Sequence, residues 1–206
     1  MRFTVEGQVI EGTELFRRVF EGGMVQRYHP NFVKFYGGLT RPGPLAAHVR
    51  HVRSLFRLAG CDMTGKTVLD VGCGYGVSAI LLALLGARES HGVDCQARAM
   101  DTFQRALDAL LLPLPVYPAL ADAARLPYPD GYFDVVLAVE AISHFRRVDD
   151  FLAEAARVLR RPEQRPELVE GPVEGRRPEH SHGAVSYTHL RAHETRHDLV
   201  CRLLLE

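Results

Sequence analysis

Tryptophan is absent, lysine nearly so, and the four cysteines, Cys61, Cys73, Cys95 and Cys201, form no CxxC pair and no metal-ligand spacing. A disulfide scaffold and a zinc site are therefore excluded, and reduced thiols in the cytoplasm are the default. A charge excess is missing too: 25 Lys+Arg stand against 25 Asp+Glu. The chain as a whole thus offers no electrostatic footprint for nucleic acid or an anionic membrane, although a local patch stays open. The longest apolar run, Ala79 to Ala87, is far too short to span a bilayer. The opening Met1–Ile10 carries Arg2, Glu6 and Gln8 and lacks the apolar core of a signal peptide. What is present, 206 residues with 47% hydrophobic content, suits one α/β domain with a real core.

Averages over the whole chain conceal a break near Arg161. Beyond it acids outnumber bases, and five of the ten histidines (His180, His182, His189, His193, His197) crowd the end. Residues 162–183 contain a stuttering repeat, Pro166-Glu-Leu-Val-Glu-Gly and then Pro172-Val-Glu-Gly, with neither helical nor strand periodicity. That composition predicts a low-complexity, disordered stretch. Within 184–206, Ala184–Thr195 resembles an in-frame translation of a transposase-type sequencing adapter, and Leu199–Glu206 resembles its flow-cell end. The tail is accordingly expected to be a library scar that takes no part in the fold; the alternative is a His-rich metal-binding tail.

Upstream of the break the chain has a clear rhythm. Pro44–Leu58 spaces its apolar residues as a helix does, Thr67–Val71 is a short β-branched run, and Val77–Leu85 is apolar nearly all round, as in a buried helix. His91–Asp94, Val116–Leu120 and Tyr132–Val139 read as further strands, with amphipathic helices at Ala97–Leu111 and Val148–Leu159. Alternation at this pitch predicts right-handed βαβ units and a parallel sheet, hence an α/β fold.

Chemistry concentrates where the first of these strands meets its helix. Asp70-Val-Gly72-Cys73-Gly74-Tyr-Gly76 places three glycines at that turn, where a ligand can approach bare main chain. The spacing is G-x-G-x-G, and Val77 stands where the dinucleotide pattern G-x-G-x-x-G has its third glycine, which weakens a nicotinamide reading. Val68–Gly76, then Gly92-Val-Asp94, then Asp122–Val136 resemble, in order, the motifs of class I S-adenosylmethionine-dependent methyltransferases, and within that superfamily the group acting on small molecules. The resemblance covers about Thr64–Arg161. It implies a Rossmann-like, mostly parallel sheet with helices on both faces, a bound S-adenosylmethionine, and S-adenosylhomocysteine as product.

The resemblance also implies roles for individual residues. Asp94 would accept the ribose hydroxyls; the alternative is a solvated strand-end acid. Asp122 would accept from the adenine amine with Ala123 beside the ring, or it caps the short turn that follows; both roles can coexist. Asp70 would orient the glycine loop (Gly72, Cys73, Gly74, Gly76) near the methionyl amine, or act structurally. Cys95 and Val139 would line the cofactor crevice at the strand ends. His144, just after the last strand, suits general-base work near neutrality, with a merely structural histidine as the alternative, and Glu140 is a second candidate.

Residues 1–60 would form a helical lid and substrate segment, with Tyr28 and Tyr36 as candidate acceptor contacts unless these aromatics simply pack the lid onto the domain. Residues 61–161 would be the cofactor domain. No Asn-Pro-Pro-aromatic or Pro-Cys motif follows Ala138-Val-Glu-Ala-Ile142, which argues against methylating flipped DNA bases. The expected partner is a small-molecule acceptor, with neither nucleic acid nor membrane. A cofactor-binding module without catalysis, and an RNA or protein methyltransferase, stay open as alternatives. The family continues past Leu159 with three more strands, yet no β-rich run follows Leu159-Arg-Arg-Pro-Glu-Gln. The expectation is a fold incomplete in strands five to seven, with an open edge beside Val135–Val139, marginal stability and weak activity.

Overall fold

A computed structural model describes residues 1–21, 30–58, 61–160 and 198–201. The chain opens on a hairpin, β1 (Arg2–Val5) and β2 (Gln8–Glu11), turning at Glu6-Gly7 with both residues at positive φ. Three helices follow: α1 (Gly12–Glu21), α2 (Pro30–Leu39) and α3 (Pro42–Leu58). The alternating part then runs β3 (Thr67–Val71), α4 (Val77–Leu84), β4 (Glu89–Asp94), α5 (Ala97–Leu110), β5 (Val116–Leu120), β6 (Val135–Val139) and α6 (Val148–Val158). The expected strands and helices lie close to where periodicity put them. The hairpin is new: residues 1–60 were expected to be helical, and strands of four residues are too short to reveal a period.

The main sheet has the order β5-β4-β3-β6-β7, with β3, β4, β5 and β6 mutually parallel. The central strand β3 is buried at all five positions because both its faces are covered. Val68 belongs to the core shared with α4, α5 and the N-terminal helices, around Ile80, Phe103 and Tyr36. Leu69 and Val71 face α6 with Val136, Phe133 and Phe151. The chain steps from β3 outward through β4 to β5 and then returns to the other side of β3 for β6. That reversal opens a crevice at the carboxyl ends of β3 and β4, where open α/β sheets bind ligands.

The free flank of β6 differs from expectation. Asp198–Cys201 forms β7 and pairs antiparallel with it, Val136 opposite Cys201 and Val139 opposite Asp198. An unpaired edge on a buried apolar strand is a template for any extended segment, so these four residues of the tail are part of the sheet after all. The low-complexity stretch 162–183 and the rest of 184–206 lie outside the described residues. At the opposite edge, β5 carries Pro118 in mid-strand, which removes a ladder donor and blunts further pairing. Among the described residues, no helix is long and apolar enough to cross a membrane.

In the N-terminal layer, His48 on α3 has its Nε2 buried without a hydrogen-bond partner. Burial, and secondarily the neighbouring His51, push its pKa down to about 4 from the ordinary 6.5. The folded state thus favours the neutral ring. The associated stability is intact above pH 6.5 and is lost as pH falls from there towards 4. Thermal melts of His48→Leu at pH 7.5 and pH 5 should show a gain over the unsubstituted chain that is larger at pH 5. Equal shifts at both pH values would contradict this.

Candidate cofactor site

Site geometry begins with the turn from β3 into α4. Gly72, Gly74 and Gly76 have φ of +76°, +54° and +76°, a region that side chains rarely enter. Two of them are also sealed by packing. A Cβ on Gly76 would lie 2.2 Å from the Phe103 ring, and one on Gly72 would lie 2.4 Å from Ala141 Cβ. Around Gly74, by contrast, there is nothing within 4 Å of the Cβ position. The flanking glycines let the turn press against α5 and the end of β6, and the middle one presents bare main chain to open space.

Two carboxylates bracket this turn. Asp94, at the end of β4, accepts from the Gly74 amide through Oδ2 (3.0 Å) and from the Gln96 amide through Oδ1 (2.9 Å). A carboxylate has about four acceptor positions, so two remain for a ligand's hydroxyls. Asp70, inside β3, is 2% exposed, and its carboxyl group accepts no hydrogen bond from the described residues. Burial, helped by the nearby Asp94 charge, raises its pKa from 3.8 to about 7. A lone buried acid beside open main chain is what a cationic group such as an ammonium would satisfy. Cys73 sits between them; its Sγ would be 2.9 Å from a Cβ on Gly92, and burial pushes its thiol well up.

The other expected positions are distributed along the same carboxyl edge. Asp122 is exposed, and its Oδ1 accepts from the Ala124 amide at 2.9 Å, so the capping role is realised and Oδ2 is left over. Ala123 and Val139 are half-buried, and Cys95 is exposed. Glu140 is exposed at φ +52°, a strained conformation for a residue with a side chain, and it redirects the chain as β6 ends. His144 lies in a single helical turn, Ile142–His144, exposed; its amide donates to the Ala141 carbonyl at 2.9 Å, and its side chain makes no hydrogen bond to the described residues. A side chain free of partners at the crevice rim is available to an acceptor but not held for it.

Of the two places open to Tyr36, an acceptor surface or the packing between lid and domain, the structure has the second. Its ring is fully buried against Phe16, and its hydroxyl donates to the Tyr75 carbonyl at 2.7 Å. It braces the glycine turn from behind. Tyr28 lies outside the described residues. Sequence reasoning also missed Glu154 and Arg157 on α6, which hold the segment after Asp122: Glu154 accepts from the Leu126 amide at 2.7 Å, and Arg157 donates to the Leu126 and Tyr128 carbonyls at 3.0 and 2.8 Å. On an amphipathic helix such residues read only as its solvated side.

Residues 69–162 match a methyltransferase domain family. The chain is 39% identical over 103 residues to the fatty-acid O-methyltransferase of Mycolicibacterium smegmatis, covering 50% of this chain and 36% of that one. It is 36% identical over 151 residues to methyltransferase GfsG of Streptomyces halstedii, covering 73% of this chain and 51% of the relative. The chain thus spans at most about half the length of these curated relatives. Among solved structures, the 4+2 cyclase SpnF aligns with a TM-score of 0.50 and 28% identity over 54% of this chain and 41% of that one.

The contrast between sealed and open glycines is testable. Gly76→Ala adds a methyl where Phe103 already sits and should lower the melting temperature by roughly 10 °C, since backbone strain and overpacking add. Gly74→Ala bears only the left-handed backbone penalty of about 1–2 kcal/mol and should melt within roughly 5 °C of the parent. Equal losses in the two melts would show that the middle glycine is not open.

Proposed function

We propose, from the match of residues 69–162 to a methyltransferase domain family, that this chain derives from a class I S-adenosylmethionine-dependent methyltransferase, an enzyme that transfers a methyl group from that donor to a small-molecule acceptor. The observation that carries the proposal is the open main chain at Gly74 set between the carboxylates of Asp70 and Asp94. It fits a ligand with an ammonium at one end and a ribose at the other.

When bound, the cofactor supplies a methyl group already activated on a sulfonium. The protein's share is alignment, exclusion of water, and removal of a proton where the acceptor needs it. In this reading the Gly72–Gly76 main chain lets the methionyl portion approach, and Asp70 takes the ammonium. Asp94 receives the ribose hydroxyls through its spare acceptor positions, and Asp122 Oδ2 receives the adenine amine with Ala123 alongside. Cys73, Cys95 and Val139 complete the walls. His144, and secondarily Glu140, stand at the rim of β6, where an acceptor would meet the methyl group, and His144 is the proposed base.

The relatives' names, one specifying fatty-acid O-methylation, and the chain's zero net charge favour a small acceptor over RNA. A second reading, ligand binding without methyl transfer, is favoured by one observation: the same fold occurs in a protein named for cyclisation.

Incubating the chain with methyl-labelled S-adenosylmethionine and a metabolite extract, including free fatty acids, tests the proposal. Label should enter a small extractable product, and Asp94→Asn should raise the donor KM at least about tenfold, as loss of a charged hydrogen-bond acceptor does. His144→Gln should lower kcat with little change in that KM. Label in RNA or protein would refute the acceptor class, and saturable binding of the donor with no transfer to any pool would favour the second reading.

A further inference from the structure

Arg157, in the last turn of α6, spends its whole guanidinium on one neighbouring segment and the acid that shares it. Nη1 donates to the Tyr128 carbonyl and to Asp130 Oδ1, both at 2.8 Å, and Nη2 to the Leu126 carbonyl at 3.0 Å. Nε and Nη2 also donate to the two oxygens of Glu154, at 2.7 and 2.8 Å. Glu154 in turn accepts from the Leu126 amide at 2.7 Å. The amide and carbonyl of Leu126 are thus both held from one helix face, while its side chain is 4% exposed in the α6-side core. Upstream, the segment is tied to Asp122, whose carbonyl accepts from the Arg125 amide at 2.9 Å.

Ordinary surface ion pairs on helices contribute little, because two long side chains must be held in water. This arrangement differs: the fork reaches two main-chain carbonyls that no strand or helix satisfies, in a loop otherwise anchored by the side chains of Leu126 and Tyr128. Lysine has a single nitrogen and could not serve the five acceptor atoms together. Exposed Asp122 is held on its upstream side by the Ala121 amide, which donates to the Asp94 carbonyl at 3.1 Å, and on its downstream side by this turn.

We infer that Arg157, through Glu154 and Leu126, is a positioning residue that sets Asp122 for recognition of the adenine amine, and so governs which base the site accepts. The inference rests on the cofactor reading above. Arg157 touches no reacting atom; its effect is on selectivity for the base and not on the methyl-transfer step.

The test is calorimetric binding of S-adenosylhomocysteine and of its hypoxanthine counterpart, S-inosylhomocysteine, to the full chain. The variants are Arg157→Met, Glu154→Gln and Ala155→Gly, the last weakening the same helix without touching the loop. The parent should prefer the adenine ligand. Arg157→Met should lose about tenfold in affinity for it while affinity for the hypoxanthine ligand barely changes, and Glu154→Gln should shift the preference the same way. Ala155→Gly should lower the melting temperature and leave the preference intact. Arg157→Lys should fail to restore it. A preference unchanged in both Arg157→Met and Glu154→Gln, or lost equally in Ala155→Gly, would overturn the inference and leave the cofactor reading standing. Binding of neither ligand to the parent would instead overturn the cofactor reading, and this inference with it.

Discussion

Close packing on both sides of one turn constrains everything else in the site. The Phe103 ring on α5 and Ala141 after β6 come so near the Gly76 and Gly72 backbone that no side chain fits there. Those contacts tie the first crossover to the second helix and to the fourth parallel strand, so the turn is held by the core as well as by its main-chain bonds, from Gly72 and Cys73 to the Val93 carbonyl and from Gly76 to the Cys73 carbonyl. With its ends fixed, the middle of the turn can stay open. Gly74 gives its amide to Asp94 and its free face to the crevice. Tyr36, donating to the Tyr75 carbonyl, closes the back of the same turn from the N-terminal layer.

Electrostatics follow from that packing. A sheet buried on both faces places Asp70 where water does not reach, and the acid is held near pH 7 by its surroundings instead of by a partner. Asp94, a few residues further along the neighbouring strand, keeps main-chain donors and spare acceptor capacity. One acid therefore calls for a cation and the other for hydroxyls. The pairing distinguishes this crevice from a phosphate-binding turn, where two carboxylates, one of them buried, would repel the ligand.

The alternating half was legible because each element there is long enough to show its period. Thr67–Val71 is β-branched and apolar, Ala97–Leu110 places Phe103 and Leu110 on one face, and the glycines punctuate between them. Asp94 was singled out by its place at a strand end and Asp122 by its place in a motif that resembles the family's, and the capping bond of Asp122 is one of the two roles left open for it. The hairpin was not, since four-residue strands joined by Glu6-Gly7 carry no pattern distinct from a loop. Tyr36 could not be read as a brace, because an aromatic on a helix looks the same whether its hydroxyl meets a substrate or a carbonyl. Arg157 was hidden for a similar reason: its partners are main-chain atoms, which leave no trace in side-chain spacing. The pairing of Asp198–Cys201 with β6 is a tertiary event that a reading of the tail by its resemblance to adapter sequence could not foresee.

Binding of S-adenosylmethionine to the chain as a function of pH bears most directly on the site. A ligand whose ammonium meets Asp70 favours the ionised acid, so one-site affinity should strengthen as pH rises through about 7. Asp70→Asn should abolish that dependence, and nicotinamide nucleotides should not compete. Affinity that is flat across this range in the parent, or displacement by a nicotinamide nucleotide, would contradict the assignment of the crevice to a sulfonium cofactor.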